Sequence, residues 1–187
     1  NTASGLQALS KNTVGSWNSA FGQGALFNNT TGLGNAAIGN LTLANNNGSD
    51  NTASGYEALY SNTTGNANTA SGAYALGQNT GSQNTASGSL ALYNNATGNK
   101  NAALGYKALH SNVSGDGNIA IGYQADVGSP DLTNATAIGN GATVNTSDTV
   151  RIGNTDVDFI KGEVPFSASS DARLKEDITV VDVGLAL

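Results

Sequence analysis

The stretch NTASGYEALYSNTTGN, residues 51–66, is repeated with few changes farther along the chain. NTASGAYALGQNTGS begins at Asn68, and NTASGSLALYNNATGN begins at Asn84. Looser copies extend the pattern in both directions, and a Gly closes the first phrase of each copy at a spacing of 16 or 17 residues. A short period of this kind is typical of a solenoid, in which each repeat buries its apolar side by stacking on its neighbours. The repeated glycines are Gly5, Gly22, Gly39, Gly55, Gly72, Gly88, Gly105, Gly122 and Gly139.

Small and apolar residues recur in register with these glycines. An Ala stands two residues before every repeated Gly, as Ala53 does before Gly55. A second Ala and then a Leu follow the Gly in most repeats, as Ala58 and Leu59 do. These columns predict a narrow apolar interior shared by all repeats. The Leu column comprises Leu9, Leu26, Leu43, Leu59, Leu76, Leu92 and Leu109, and it is broken at Asp126 and Thr143.

Short strands suit these repeats better than helices, because a Gly every 16 or 17 residues with dense Asn and Thr opposes helix formation. The phrase NTASG places its central Ala on one side of a strand and the flanking residues on the other. We expect a second strand to carry the Ala-Leu pair, and the Asn and Gly residues to form the turns. Stacked Asn side chains are able to form hydrogen-bonded ladders from coil to coil. The sequence therefore predicts an all-β, parallel β-roll of about nine coils, rising about 4.8 Å per coil and about 43 Å in all.

The composition excludes several classes of function. Only 11% of the 187 residues are charged, and the net charge is −6, so a nucleic-acid partner is not expected. Cysteine is absent, so thiolate metal sites and disulfides are excluded. We predict no metal and no cofactor, and the chain has no apolar run long enough to predict insertion into a membrane.

The interior predicted for one chain is thin, and its burial leaves little surplus over the entropy lost on folding. We therefore predict that chains associate. A repeated Ala permits close approach of neighbouring chains, so the Ala face is expected to meet other chains about a common axis. In the alternative interpretation, Ala fills a narrow coil of a single chain.

Two later repeats carry a recognisable motif, NIAIGYQA at residues 118–125 and ATAIGNGATV at residues 135–144. These repeats resemble the YadA-like, haemagglutinin-type head repeats of trimeric autotransporter adhesins. The resemblance covers residues 1–153. It implies a left-handed parallel β-roll and a homotrimer.

The pattern changes after TVRIGNTDVDFIKGEVPF, residues 149–166, where the repeat stops and charged residues become frequent. We interpret residues 154–169 as a neck. SSDARLKEDI, residues 169–178, resembles the opening of the endosialidase-type intramolecular chaperone domain of phage tail spikes and fibres. Residues 170–187 are then the N-terminal part of such a domain.

The chaperone resemblance implies specific roles for four residues. In that family the domain helps the preceding stalk to form a trimer and then releases itself by cleaving the chain. Ser170 is the implied nucleophile and Lys175 the implied general base, and Ser169, Ser170 and Asp171 lie at the cleavage junction. Because residues 170–187 are only the start of such a domain, we expect little or no cleavage from them alone.

Tyrosines supply the candidate receptor contacts. Tyr60 and Tyr93 lie in one repeat position and recur every second coil, and His110 follows in the same register. Tyr56, Tyr106 and Tyr123 directly follow a repeated Gly. Exposed aromatic rings are able to stack on sugars or on a protein receptor, whereas the alternative is that they pack between coils or chains. His110 lacks neighbouring acidic residues in sequence and is not expected to bind a metal.

These observations predict a structural and adhesive segment of a trimeric phage tail fibre, located in the virion. Its expected partners are two further copies of itself, other fibre or tail proteins, and a glycan or protein on the host cell surface. The alternative is the head of a bacterial trimeric adhesin, which is extracellular on the bacterial surface.

A further alternative is a tail spike that degrades polysaccharides. Such an enzyme needs two converging carboxylates. We predict that the chain is not an enzyme, apart from self-cleavage near Ser170, because its acidic residues fall at unrelated repeat positions. Those in the repeat region are Asp50, Glu57, Asp116, Asp126, Asp131 and Asp148.

Overall fold

Parallel strands stacked coil upon coil make up residues 1–157, the part of the chain that the computed structural model describes. Ten of the twelve strands in this part form one sheet, in the order β1 to β8, then β10 and β12, and the other two, β9 and β11, pair with each other. The predicted all-β solenoid of about nine turns is confirmed. The strands are β1 Thr2–Ser4, β2 Ser19–Phe21, β3 Ala36–Ile38, β4 Thr52–Ser54, β5 Thr69–Ser71, β6 Thr85–Ser87, β7 Ala102–Leu104, β8 Ile119–Ile121, β9 Asp126–Val127, β10 Thr136–Ile138, β11 Thr143–Val144 and β12 Val150–Ile152.

Most of the predicted neck and all of the predicted chaperone segment lie outside the described residues. Ser169, Ser170, Asp171 and Lys175 are among them. Their proposed roles stay predictions.

Each strand residue pairs with its equivalent in the next coil. Ala53 of β4 pairs with Ala70 of β5, which pairs with Ala86 of β6. These Ala side chains are at most 2% exposed within a single chain, whereas Thr52 and Ser54 on either side of Ala53 are exposed. The prediction that the Ala face meets other chains is therefore wrong. The Ala column fills its own narrow coil, and the flanking residues point outward.

The predicted second strand forms only in the last two complete coils. In the earlier coils the Ala-Leu pair lies in turns, and Leu59 and Leu76 have φ values of 51° and 52°. This left-handed conformation costs a Leu about 1–2 kcal/mol. Both side chains are completely buried, and the burial of a Leu offsets that cost. Where the column reads Asp126 and Thr143, the chain forms β9 and β11 instead.

The predicted Asn ladders are present and run through the interior. The amide of Asn68 donates to the carbonyl of Gly81 at 2.9 Å, and its side-chain oxygen accepts from the backbone N–H of Asn84 at 2.9 Å. Among the described residues, no buried side-chain polar atom is left without a partner. One ladder contains Asn18, Asn35, Asn51, Asn68, Asn84, Asn101 and Asn118, and the other contains Asn29, Asn46, Asn62, Asn79, Asn95 and Asn112.

Glycine is required where successive coils touch. Gly72 has a φ of 130°, and a Cβ there would lie 2.7 Å from the carbonyl carbon of Gly88 in the next coil. The same close approach recurs along the column of repeated glycines. The period of the sequence is thus fixed by backbone contact between coils as well as by turns.

Candidate receptor surface and strand face

The outward side of the ten-stranded sheet is apolar toward its C-terminal end. We call the residues that flank the central residue of each sheet strand the strand face. Ile119 and Ile121 of β8 are 39% and 42% exposed within a single chain. A cleft of about 220 Å³ opens on this face between β6, β7 and β8. The other exposed apolar residues of the strand face are Phe21, Ile38, Leu104, Val150 and Ile152.

The middle strands give the strand face a different chemistry. In β4, β5 and β6 the flanking residues are Thr and Ser in each case. The face therefore consists of hydroxyl groups between two apolar stretches.

A second surface is formed by the residues that lie five positions after the repeated glycines from Gly22 to Gly105, which we call the ring row. After Gly122 and Gly139 the same position holds Val127 and Val144, which are buried in the core. Bulky and small side chains alternate along the ring row, from Phe27 through Ala44, Tyr60 and Gly77 to Tyr93. A cleft of about 270 Å³ is lined by the first three of these residues, and we call it the first slot. A cleft of about 250 Å³ is lined by the last three, and we call it the second slot. Tyr60 lines both slots.

Polar groups complete the second slot. Glu57, Ser61 and Gln78 line it together with the tyrosine rings. The amide of Gln78 donates to the Tyr93 hydroxyl at 3.3 Å. A Cβ on Gly77 would lie 2.7 Å from the Tyr93 ring, so the bare backbone at this position lets the ring lean over it.

The five predicted contact tyrosines fall into two groups. Tyr106 and Tyr123 stack with ring centroids 5.4 Å apart. Tyr56 and Tyr93 are linked through Tyr74, whose ring centroid lies 5.2 Å from that of Tyr56 and 6.2 Å from that of Tyr93, both edge-on. Tyr60 lines the slots beside this second group.

Sequence reasoning missed Tyr74, which stands two residues after its Gly rather than one or five. The sequence did contain a signal for it. On three successive coils, an aromatic residue stands one, two and then five positions after the repeated Gly, as Tyr56, Tyr74 and Tyr93 do. His110 extends the ring row as predicted, since its ring stacks on Tyr93 with centroids 6.0 Å apart and planes 15° apart.

One carboxylate modifies the acidity of this surface. Glu57 accepts a hydrogen bond from Tyr56 and repels a second negative charge, and this raises the pKa of Tyr56 to about 12. Tyr56 therefore keeps its hydroxyl proton to a higher pH than an ordinary tyrosine does.

Asp126 has a structural role at the end of the Leu column. Its carboxylate accepts hydrogen bonds from the backbone N–H groups of Ser111, at 3.1 Å, and Val127, at 2.8 Å. Burial raises the pKa of Asp126, and these hydrogen bonds oppose the rise.

No cluster of three or more His, Asp or Glu side chains suited to a metal ion occurs within residues 1–157. A search of that same part of the chain finds no helix with the length and hydropathy needed to span a membrane.

No family model, no curated protein and no solved structure matches this chain.

Proposed function

We propose that this chain is a structural and adhesive segment of a homotrimeric phage tail fibre, which attaches the virion to a host surface. The observation that carries the proposal is the exposed apolar part of the strand face. Contiguous exposed apolar surface on a soluble protein marks an interaction site. In the proposed fibre this face is covered by the two other copies of the chain.

The position of this face supports assembly about an axis parallel to the stack of coils. Leu104, Ile119 and Ile121 lie on adjacent strands of one sheet and expose 53%, 39% and 42% of their surface. A cyclic trimer would bring three equivalent faces together and remove these side chains from water. The number three and the left-handed winding come from the resemblance to YadA-like heads.

The remaining parts of the proposal rest on the sequence motifs. SSDARLKEDI supports a chaperone that promotes trimerisation and then cleaves itself, with Ser170 as nucleophile and Lys175 as base. The virion location and the contacts with other tail proteins follow from that resemblance. Three copies of each surface feature would let weak contacts with a host receptor act together. The proposed role is mechanical and needs neither a metal nor a cofactor.

A charge placed on the strand face tests the proposal. Ile121→Asp should convert the trimer into folded monomers, because three buried carboxylates about one axis are strongly unfavourable. Mass would be measured by light scattering, and folding by circular dichroism.

The matched control is Val113→Asp. Val113 is 38% exposed, close to the value for Ile121, but it lies in a turn outside the sheet. This variant should remain a trimer. If Ile121→Asp is as trimeric as the unaltered chain, the strand face is not the interface.

A further inference from the structure

The two slots of the ring row lie side by side along the stack of coils and share the ring of Tyr60. We propose that they bind a neutral glycan, with one pyranose ring in each slot and the glycan chain running along the stack. This inference deepens the proposed function: it rests on attachment being the role of the surface, and it names the class of receptor.

The spacing of the aromatic rings supports this ligand. Phe27, Tyr60 and Tyr93 are each two coils apart, which corresponds to about 9.6 Å along the stack. Between them stand the small residues Ala44 and Gly77. Each slot therefore has an aromatic side chain at both ends and a small, buried residue between them, and a ring with apolar C–H faces fits against the aromatic side chains.

The backbone does not require a small residue at these positions. Equivalent positions carry Phe27, Tyr60, Tyr93 and His110. Gly77 does not have a positive φ, unlike the repeated glycine Gly72 of the same coil. The turn at Gly77 therefore does not require a Gly. The absence of a side chain at this position instead makes room for the Tyr93 ring and the slot.

The polar groups suit the hydroxyls of a sugar. Glu57 supplies acceptors in the second slot, Ser61 supplies a hydroxyl, and Gln78 supplies both a donor and an acceptor. The first slot is lined by the amides of Gln7 and Gln23, among others. A pyranose needs such mixed donors and acceptors around its edge and apolar contact on its faces.

The charge of the second slot selects against acidic sugars. No Lys or Arg is among the described residues that line it, and it contains the carboxylate of Glu57. A sialylated or phosphorylated glycan would meet repulsion there, whereas a neutral one would not. The first slot contains no carboxylate, and the ammonium of Lys11 lies 4.6 Å from the centroid of its Phe27 ring.

The size of the slots fits one sugar unit each. Their volumes, about 270 and 250 Å³, fall below the roughly 300–1,000 Å³ of pockets for drug-sized ligands. Each single contact should therefore be weak, and attachment would gain strength from adjacent slots and from several copies of the chain.

Saturation-transfer NMR with the 187-residue chain tests the inference. The probes are neutral oligosaccharides of glucose, galactose, mannose and N-acetylglucosamine, with a sialylated oligosaccharide for comparison. At least one neutral probe should receive saturation on its ring protons, and the sialylated probe should receive less. Tyr60→Ala removes the wall shared by both slots and should weaken binding about tenfold or more.

Two further variants separate binding from folding. Gly77→Tyr fills the second slot and displaces the Tyr93 ring, which a Cβ at this position would approach to 2.7 Å, and it should weaken binding without removing any core group. Trp17→Ala removes an exposed aromatic group that lines neither slot, and it should bind as the unaltered chain does. If no neutral probe binds, or if Trp17→Ala weakens binding while Tyr60→Ala does not, the glycan inference is wrong.

The proposed fibre role is tested separately by mass and by binding of the labelled chain to bacterial cells. A trimer that binds cells but no neutral glycan overturns the glycan inference and leaves the fibre role standing. A monomer that binds a glycan through the slots overturns the fibre role and leaves the slots standing.

Discussion

At the scale of single residues, the fold depends on a few side chains whose chemistry suits a narrow coil. Ala fills the narrow interior next to the sheet. Asn side chains form hydrogen bonds with the backbone groups that the turns leave without a partner. Gly permits the contact between coils, as the position of Gly72 against Gly88 shows. Repetition of these residue types, rather than a large apolar core, holds the coils in register.

Ionisation of Tyr56 is the first prediction at this scale. Glu57 raises its pKa to about 12, so the contact favours the folded chain below pH 10 and is lost as the pH rises from about 10 to 12. Glu57→Gln removes the carboxylate, which is the largest cause of the rise, and should lower the pKa of Tyr56 toward 10. Tyrosinate absorbance in the near ultraviolet would follow the titration.

Asp131→Asn is the control, because Asp131 is also an exposed acid and bonds Ser129 instead of a tyrosine. It should leave the titration unchanged. A titration curve that is the same with and without the Glu57 carboxylate would contradict the account of this surface.

At the scale of the element, each coil is joined to the next by a sheet strand and by two Asn ladders. Asn68→Ala should lower the free energy of unfolding by about 1–3 kcal/mol, because it leaves the buried N–H of Asn84 without a partner, while the carbonyl of Gly81 keeps its bond from Asn79. Urea unfolding would measure the difference.

Asn66→Ala provides the comparison within the same coil. Asn66 is exposed, and its bonds to Ser49 and Thr64 lie at the surface, where water replaces them. Its loss should cost less than 1 kcal/mol or so. Equal effects of the two substitutions would show that the buried ladder does not hold the coils together.

The sequence predicts those features of the coil that depend on a particular residue type at a fixed position. It does not predict those for which it shows only an alternation of side chains between two faces. The period, the parallel sheet and the Asn ladders followed from Gly and Asn at fixed positions. Alternation around Ala53 gave two faces but not which one lies inside, because that depends on the width of the coil. The left-handed conformation of Leu59 opposes local preference and is imposed by burial, so propensity could not reveal it.

The candidate surface was predicted only in part for a similar reason. Tyr60 and Tyr93 share a repeat position, so alignment of the repeats could find them. Tyr74 sits at a different position and meets its neighbours through a diagonal across coils. The second slot depends on the absence of a side chain at Gly77. From the sequence alone, this Gly cannot be told apart from a Gly that is needed for a turn.

At the scale of the whole molecule, the single chain leaves a large apolar stretch of its strand face uncovered. Ile119 and Ile121 of β8 and Val150 and Ile152 of β12 together make this stretch costly to leave in water. Association through this face is the simplest way to bury it, and it is the central claim of the proposed fibre role.

The mass of the unaltered chain in solution tests that claim most directly. Light scattering across a range of protein concentrations should give three times the 18.6 kDa of one chain. A mass of 18.6 kDa at every concentration would contradict the proposed trimer.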